Sequence, residues 1–241
     1  MEFTYKAYES LIALLRENGY AVRNYHNWET APRCVILRHD IDFSLDSAVE
    51  LAALEQRLGV SSTYFVLLTS DFYNPASPGS LAKLRTIQSM GHEIGLHFDA
   101  KAYPEGTEQE LVEHIRKEMD ILSQLLGGPV STMSMHRPSA TVLESNLKIQ
   151  GVEISYEKTF FCDFKYLSDS RRHWREPVLD IIRSQAYDHL HILTHAFWYH
   201  QQEQDIAQSV TAFVRSAAGE RYLQMADNIR SIGEILQKSE V

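Results

Sequence analysis

A chain of 241 residues is long enough for one large α/β domain with a substantial buried core. With 23 Lys and Arg against 32 Asp and Glu the formal net charge is −9, which argues against a nucleic-acid partner because phosphate binding needs a clustered cationic excess. No apolar run approaches the roughly 20 residues of a membrane-spanning helix, so no membrane insertion is expected. The opening MEFTYKAYES has no basic segment leading into an apolar run, and a cytoplasmic location is the expectation. Two cysteines, Cys34 and Cys162, make no disulfide framework and read as reduced thiols.

In chain order, residues Tyr5 to Asn18 read as an amphipathic helix ended by Gly19. Cys34 to Leu37 is a short apolar strand running into charged residues. Ser47 with Glu50 resembles a capping box for a helix reaching Leu58, with Gly59 behind it. Ser62 to Leu68 is β-branched and aromatic, hence a strand. Ser80 to Met90 is a helix stopped by Gly91, and Glu93 to Phe98 a strand. Thr107 and Glu110 form a second capping box, whose helix stops at Gly127-Gly128-Pro129. Val130 to Met135 is a strand, Thr141 to Gln150 a helix and Val152 to Tyr156 a strand. Pro177 to Arg183 and His189 to Thr194 are further strand candidates, and the tail from Gln202 is helical. The alternation predicts βαβ units in a parallel sheet of about seven strands, closed as a barrel or open, over residues 1–241 as one domain. Residues 1–30 form a helical extension and residues 202–241 C-terminal helices. The longest connection without periodicity, Phe160 to Trp174, is rich in Tyr, Phe, Arg and Asp.

Four clusters carry chemistry, each directly after a strand, at the end where α/β folds bind ligands. In Arg38-His39-Asp40-Ile41-Asp42 the period of two puts Asp40 and Asp42 on one face. Two adjacent carboxylates ionise together only when a cation or hydrogen bonds compensate, and a divalent metal is the simplest compensator. The alternative is a pair of loop carboxylates capping the next helix through Ser44 or Asp46. In the run from Gly91 to Asp99, Glu93, His97 and Asp99 share a face and His92 takes the other. His136-Arg137-Pro138-Ser139 offers an imidazole and a guanidinium able to orient a carboxylate bidentately. In Leu193-Thr194-His195-Ala196-Phe197-Trp198, His195 is a candidate proton donor. The sequence holds no G-x-S-x-G elbow, P-loop, G-x-G-x-x-G or C-x-x-C.

The order of these motifs resembles the polysaccharide deacetylase family, the NodB homology domain of carbohydrate esterases. The resemblance runs from about Arg33 to Tyr199 and implies a distorted (β/α) barrel of about seven strands. RHDID stands where the family has T-F-D-D, so Asp40 matches the catalytic base and Asp42 the metal-binding Asp, displaced by one residue. GHEIGLH is similar to G-H-E-I-G-N-H, and His97 matches the first ligand His. Arg137 and Pro138 match the R-x-P motif whose Arg orients the base. His195 matches the general acid, and the strand from Ser62 to Val66 matches the family's "ATFF" strand. Two positions depart: Lys101 stands where the second ligand His belongs, and Ala140 replaces a Gly.

The resemblance implies a metal-dependent hydrolase of amide bonds, N-deacetylating a sugar, of a branch associated with surface-polysaccharide biosynthesis. Zinc would be held by Asp42 and His97 with a third ligand from His136 or Asp40. The expected substrate is an N-acylated sugar, a nucleotide-sugar or a lipid-linked intermediate, with Tyr166, Asp169, Arg171, Arg172 and Trp174 lining sugar and phosphate subsites. Two alternatives stand beside it: a metal-free amide or imide hydrolase of the same superfamily, and an inactive saccharide-binding module, for which Lys101 speaks.

Overall fold

The apolar run that begins at Cys34 is the centre of the fold. In the computed structural model, which describes residues 1–138 and 147–241, it extends as an eight-residue strand through the charged cluster to Ile41, every residue buried. The strands are β1 (Ala21–Arg23), β2 (Cys34–Ile41), β3 (Thr63–Val66), β4 (Glu93–Phe98), β5 (Thr132–Met135), β6 (Glu153–Ile154), β7 (Lys165–Ser168) and β8 (His189–Thr194). Their order is β6-β5-β4-β3-β2-β8-β7, and every pairing is parallel. The lower half of β2 pairs with β1 and its upper half with β3, while β8 runs along the other edge.

The sheet curls. Strands three apart in a flat sheet lie about 14 Å from each other. Yet the Arg38 guanidinium on β2 bonds Ser134 on β5 and Ser155 just beyond β6. A strongly curved, barrel-like sheet allows this, as the motif resemblance implies. Gly95 on β4 serves the same closure, because a Cβ there would lie 2.6 Å from the Phe65 ring.

The helices of this unit are α1 (Tyr5–Glu17), α2 (Leu45–Leu58), α3 (Pro78–Ser89), α4 (Glu108–Leu126) and α5 (Val178–Ser184). The Thr107–Glu110 capping box forms, and Gly127 closes α4 in the left-handed region. The other expected box does not form. Ser44 is the N-cap of α2, accepting from the Ser47 amide, and Glu50 instead accepts the Tyr5 hydroxyl at 2.6 Å.

Two further expectations are corrected. The run expected as a strand over Pro177 to Arg183 is helix α5, with Val178 and Ile182 buried one turn apart. A short apolar run cannot separate strand from helix by periodicity alone. The missing strand is β7, inside the supposed long connection. The helix expected over Thr141 to Gln150 lies outside the described residues up to Asn146, as do Ser139 and Ala140, and Ile149 pairs with Val152 in an isolated bridge. Residues 1–30 supply a strand as well as α1.

Inside the barrel the side chains form layers. At the base Tyr25, Cys34, Ile36, Phe65, Phe160 and Phe164 pack as an apolar cluster. Above it lies a polar layer with Arg38 and His191. His191 Nδ1 bonds the Phe160 carbonyl at 2.8 Å and must donate, so its Nε2 accepts from the Tyr25 hydroxyl at 2.7 Å. The top layer, at the strand C-termini, holds the charged motifs.

Met1–Gln201 is one compact unit and Gln202–Val241 a second. The second holds α6 (Ile206–Asn228), opened by a capping box of Asp205 and Gln208, and α7 (Ile232–Ile235). Among the described residues no helix is long and apolar enough to cross a membrane. Cys34 and Cys162 are both free thiols.

Candidate active site

The strand period decides which residues meet. Arg38, Asp40 and Asp42 alternate onto the interior face of β2, while His39 faces the helices. Arg38 has no exposed surface. Its Nε and Nη2 donate to the two carboxylate oxygens of Asp40 at 2.8 Å each. Its guanidinium also lies 4.9 Å from the Tyr156 ring centroid and 5.2 Å from that of Phe65. A buried cation clamped by two aromatic faces and two serine hydroxyls is a rigid partner. Burial raises the Asp40 carboxyl, but the charge of Arg38, with His97 and the paired hydrogen bonds, outweighs it and holds the group below the usual carboxylate range.

Asp42, His97 and His136 converge one layer higher. Each offers a ligand atom, and these lie within 4.8 Å of one another. The His97 Nε2 stands 3.3 Å and the His136 Nδ1 3.9 Å from the Asp42 Oδ1, with the two imidazoles nearly parallel at 5.2 Å. Zn–N and Zn–O bonds of 2.0–2.2 Å place tetrahedral ligand atoms roughly 3.3–3.6 Å apart, so small movements of His136 close the set. Asp42 Oδ1 and His136 Nδ1 are buried without a hydrogen-bond partner, an arrangement that is unfavourable unless something fills it. Burial lowers the His136 pKa, favouring the neutral form a metal needs. The donor set therefore fits a divalent cation, with His136 as third ligand; both Asp40 oxygens are engaged by Arg38. Lys101, where a second ligand His was expected, takes no part: it is exposed in the turn Ala100–Ala102 and lines a neighbouring groove.

His195 follows β8 directly and faces the same layer. Its Nε2 is 3.7 Å from the Asp42 Oδ2. Asp169, fully buried, accepts from His195 Nδ1 at 2.6 Å and from its backbone amide at 3.1 Å. Burial alone would lower the imidazole, but the Asp169 charge and hydrogen bond, helped by Asp42 and Asp40, raise its pKa to about 9. The pairing with Asp169 therefore favours the protonated imidazole and leaves Nε2 facing the site. A cleft lined by Asp42 and His136, with Asp99 and Arg137, has a volume of about 290 Å³.

No family model matches the chain, and no curated protein does. Solved structures similar to it include the deacetylase PplD of Streptococcus pyogenes, at 13% identity and a TM-score of 0.45, matched over 58% of this chain and 66% of that one. The chitin deacetylase of the fungal pathogen Colletotrichum lindemuthianum matches at 16% identity and a TM-score of 0.45, over 76% and 81%. The peptidoglycan deacetylase PdaC of Bacillus subtilis matches at 15% identity and a TM-score of 0.45, over 80% and 97%. The chain thus spans just under two thirds of PplD and most of the other two.

Several expected roles are reassigned by the geometry. Arg137 does not reach Asp40; its Nη2 bonds Asp99 at 2.9 Å and its side chain is half exposed at the cleft. Arg38 orients Asp40 instead, and the alternation that pairs Asp40 with Asp42 places Arg38 on the same face. Asp169 is not a sugar contact, because both its oxygens are spent on His195. Tyr166 packs inside the barrel, its ring 5.3 Å from that of His191. Arg172 lies over the Phe3 ring at 4.7 Å, and the Trp174 indole nitrogen is buried. Tyr166, Asp169, Arg172 and Trp174 are all absent from the cleft lining, which includes Phe43, Leu67 and Phe72. Phe43, Leu67 and Phe72 carry no sequence signal for a site, because they sit singly in loops or at a strand end.

Proposed function

We propose that this chain is a metal-dependent, polysaccharide-deacetylase-like hydrolase that removes the acyl group from the nitrogen of an N-acylated sugar. The observation carrying the reading is the convergence on one barrel rim of three metal-type ligands, a carboxylate kept ionised by Arg38 and an imidazolium kept charged by Asp169. Two groups in opposite protonation states beside a ligand triad are what amide hydrolysis requires. Zinc suits the mixed imidazole and carboxylate donors. The completed triad favours this reading over a metal-free hydrolase and over an inactive binding module, since the ligand set does not depend on position 101.

A divalent ion at the triad would supply Lewis acidity toward the amide carbonyl and ease deprotonation of water. Asp42, His97 and His136 would hold that ion. Asp40 takes a proton from the water that attacks the carbonyl carbon, and Arg38 fixes the carboxylate for it. His195 Nε2 gives its proton to the amide nitrogen as the C–N bond breaks, since an unprotonated amine is a very poor leaving group. Asp169 keeps Nδ1 the tethered nitrogen throughout. The products are a carboxylate and a free amine. A sugar nucleotide or lipid-linked sugar of surface-polysaccharide biosynthesis, met in the cytoplasm, is the substrate this reading favours.

The test pairs metal analysis with turnover. Protein purified without chelator is assayed for bound metal, then for acid release from N-acetyl sugars and nucleotide-sugars with added zinc, cobalt or nickel. Stoichiometric metal and release of acetate are expected. Protein that takes up none of the three ions refutes the metal site, and metal-loaded protein that releases no acid refutes the hydrolase.

A further inference from the structure

The last rung between β2 and β3 runs through a side chain. In a parallel ladder, alternate residues of a strand turn their N–H and C=O toward the same neighbour. The Cys34 amide bonds the Asp188 carbonyl just ahead of β8, so Cys34, Ile36, Arg38 and Asp40 face β8 and Ile41 turns its carbonyl toward β3. The Glu93 amide bonds the Ser62 carbonyl, so Tyr64 and Val66 face β4 and Leu67 turns its amide toward β2. Ile41 and Val66 are the last paired residues of the two strands. The next rung would run from the Leu67 N–H to the Ile41 C=O. The Tyr73 hydroxyl stands in that place, accepting from the Leu67 amide at 3.0 Å and donating to the Ile41 carbonyl at 2.6 Å.

A direct rung holds nitrogen and oxygen about 2.9 Å apart. A hydroxyl inserted between them keeps the two backbones further apart and ties both to one side chain. The strands therefore part where Asp42 leaves β2 and Leu67 leaves β3, and both residues line the cleft. The Ile41 carbonyl lies in the same rigid peptide plane as the Asp42 amide, so the bond from Tyr73 acts on the backbone of the ligand itself. Asp42 has little latitude: its oxygens stand 3.3 Å from His97 Nε2, carried by β4, and 3.7 Å from His195 Nε2, beyond β8. We propose that Tyr73 is a positioning residue for the metal site, its hydroxyl wedging β2 from β3 at the rim and fixing the peptide that carries Asp42. This rests on the metal-site reading and adds a residue outside the triad that sets the affinity of the site.

The experiment compares Tyr73→Phe with the parent and with a control, Tyr20→Phe, which removes a hydroxyl bonded to the Tyr187 carbonyl at 2.6 Å ahead of β1. Zinc affinity is measured by competition with a chelating dye, and exchange of the Leu67 amide proton by NMR on metal-free protein. Tyr73→Phe weakens zinc binding roughly 10–100-fold, the range for groups that orient a ligand. It speeds exchange at Leu67 by about tenfold, as the loss of one hydrogen bond implies. Tyr20→Phe leaves both at the parent's values. Zinc held equally tightly by Tyr73→Phe, or Leu67 exchange unchanged in it, overturns the proposal and leaves the metal site standing. So does an equal loss of affinity in Tyr20→Phe, which makes the effect general, or a Tyr73→Phe protein that does not fold, which makes the hydroxyl a fastening of the fold. A parent that binds no zinc sinks the metal-site reading and this proposal together.

Discussion

Two clusters of carboxylate and imidazole lie on opposite faces of β2, built from alternate residues of one five-residue run. On the outer face His39 donates or accepts at both nitrogens, with Glu55 at 3.0 Å and Thr194 at 2.7 Å. Glu55 accepts in addition from Tyr8, Ser62 and Tyr64 at 2.6 to 2.8 Å. On the inner face Asp42 and His136 keep ligand atoms with no hydrogen-bond partner, beside an open cleft. His39 and Glu55 are fully enclosed while Asp42 and His136 are partly open at the cleft, and satisfaction differs as well. A buried polar cluster whose every group is paired fixes a packing arrangement, whereas one with orphaned atoms is incomplete without a ligand. The outer cluster cements α1, α2, β2 and β3. The inner one is left open for chemistry.

The sharpest way to break this contrast is to alter the inner cluster. Asp42→Asn removes the charged ligand, and both bound metal and turnover fall to background, read by elemental analysis and acid release. Asp40→Asn sits one layer below and separates base from ligand. It retains metal and loses roughly 10²–10⁴ in kcat, the range for a single acid–base group. Metal retained by the Asp42 variant, or full activity in the Asp40 variant, reverses the assignment.

The outer cluster answers differently. Burial pushes the Glu55 carboxyl up, but His39, then His92 and the Ser62 hydroxyl, prevail and bring its pKa from 4.5 to about 2. For a depressed carboxylate the stabilisation is complete above the unfolded pKa and is lost as pH falls through the folded one. Wild-type stability should therefore decline between about pH 4.5 and pH 2, by roughly 3 kcal/mol from this group. Glu55→Gln puts an amide NH₂ among hydroxyl donors and lowers stability by a similar amount at neutral pH, while folded molecules keep their metal and their rate. Denaturant titrations at pH 7 and pH 3.5, with specific activity, check this. Loss of metal in this variant would join the two clusters into one functional unit.

How much of this was legible follows from the range over which each signal acts. Strand alternation is local, so it paired Asp40 with Asp42 and put His97 at a strand end. The same rule places Arg38 beside Asp40, a consequence masked by the motif likeness that pointed to Arg137. The strand β7 carries Tyr166 and Ser168 on its interior face, so it shows no apolar pattern and read as loop. The partnership of Asp169 with His195 spans 26 residues and depends on β7 pairing with β8. Nothing local announces it. Phe43 and Phe72 reach the cleft only because the loops after β2 and β3 fold over the same rim.

The smallest predicted effect tests whether Asp169 belongs to the inner cluster's chemistry or merely to its packing. A general acid must hold its proton at working pH. With the His195 pKa raised by Asp169, the alkaline limb of kcat should lie above the ordinary imidazole value. Asp169→Asn removes a charge but keeps an amide oxygen able to accept from Nδ1–H and from the backbone amide, so ring orientation and tautomer persist. What is lost is the largest contribution raising the imidazole pKa, leaving burial, which lowers it, less opposed. The limb then moves toward the ordinary imidazole value of about 6.5, and the rate at neutral pH falls by about tenfold or less, because only a fraction of the enzyme is deprotonated. Asp169→Ala loses the tether as well and should fall further at every pH. A substrate with a good leaving group needs no proton on nitrogen, so its rate should show neither the shift nor the loss. An unmoved alkaline limb in Asp169→Asn would mean that a different group delivers the proton, and His195 would then join His39 as an imidazole that only holds the barrel together.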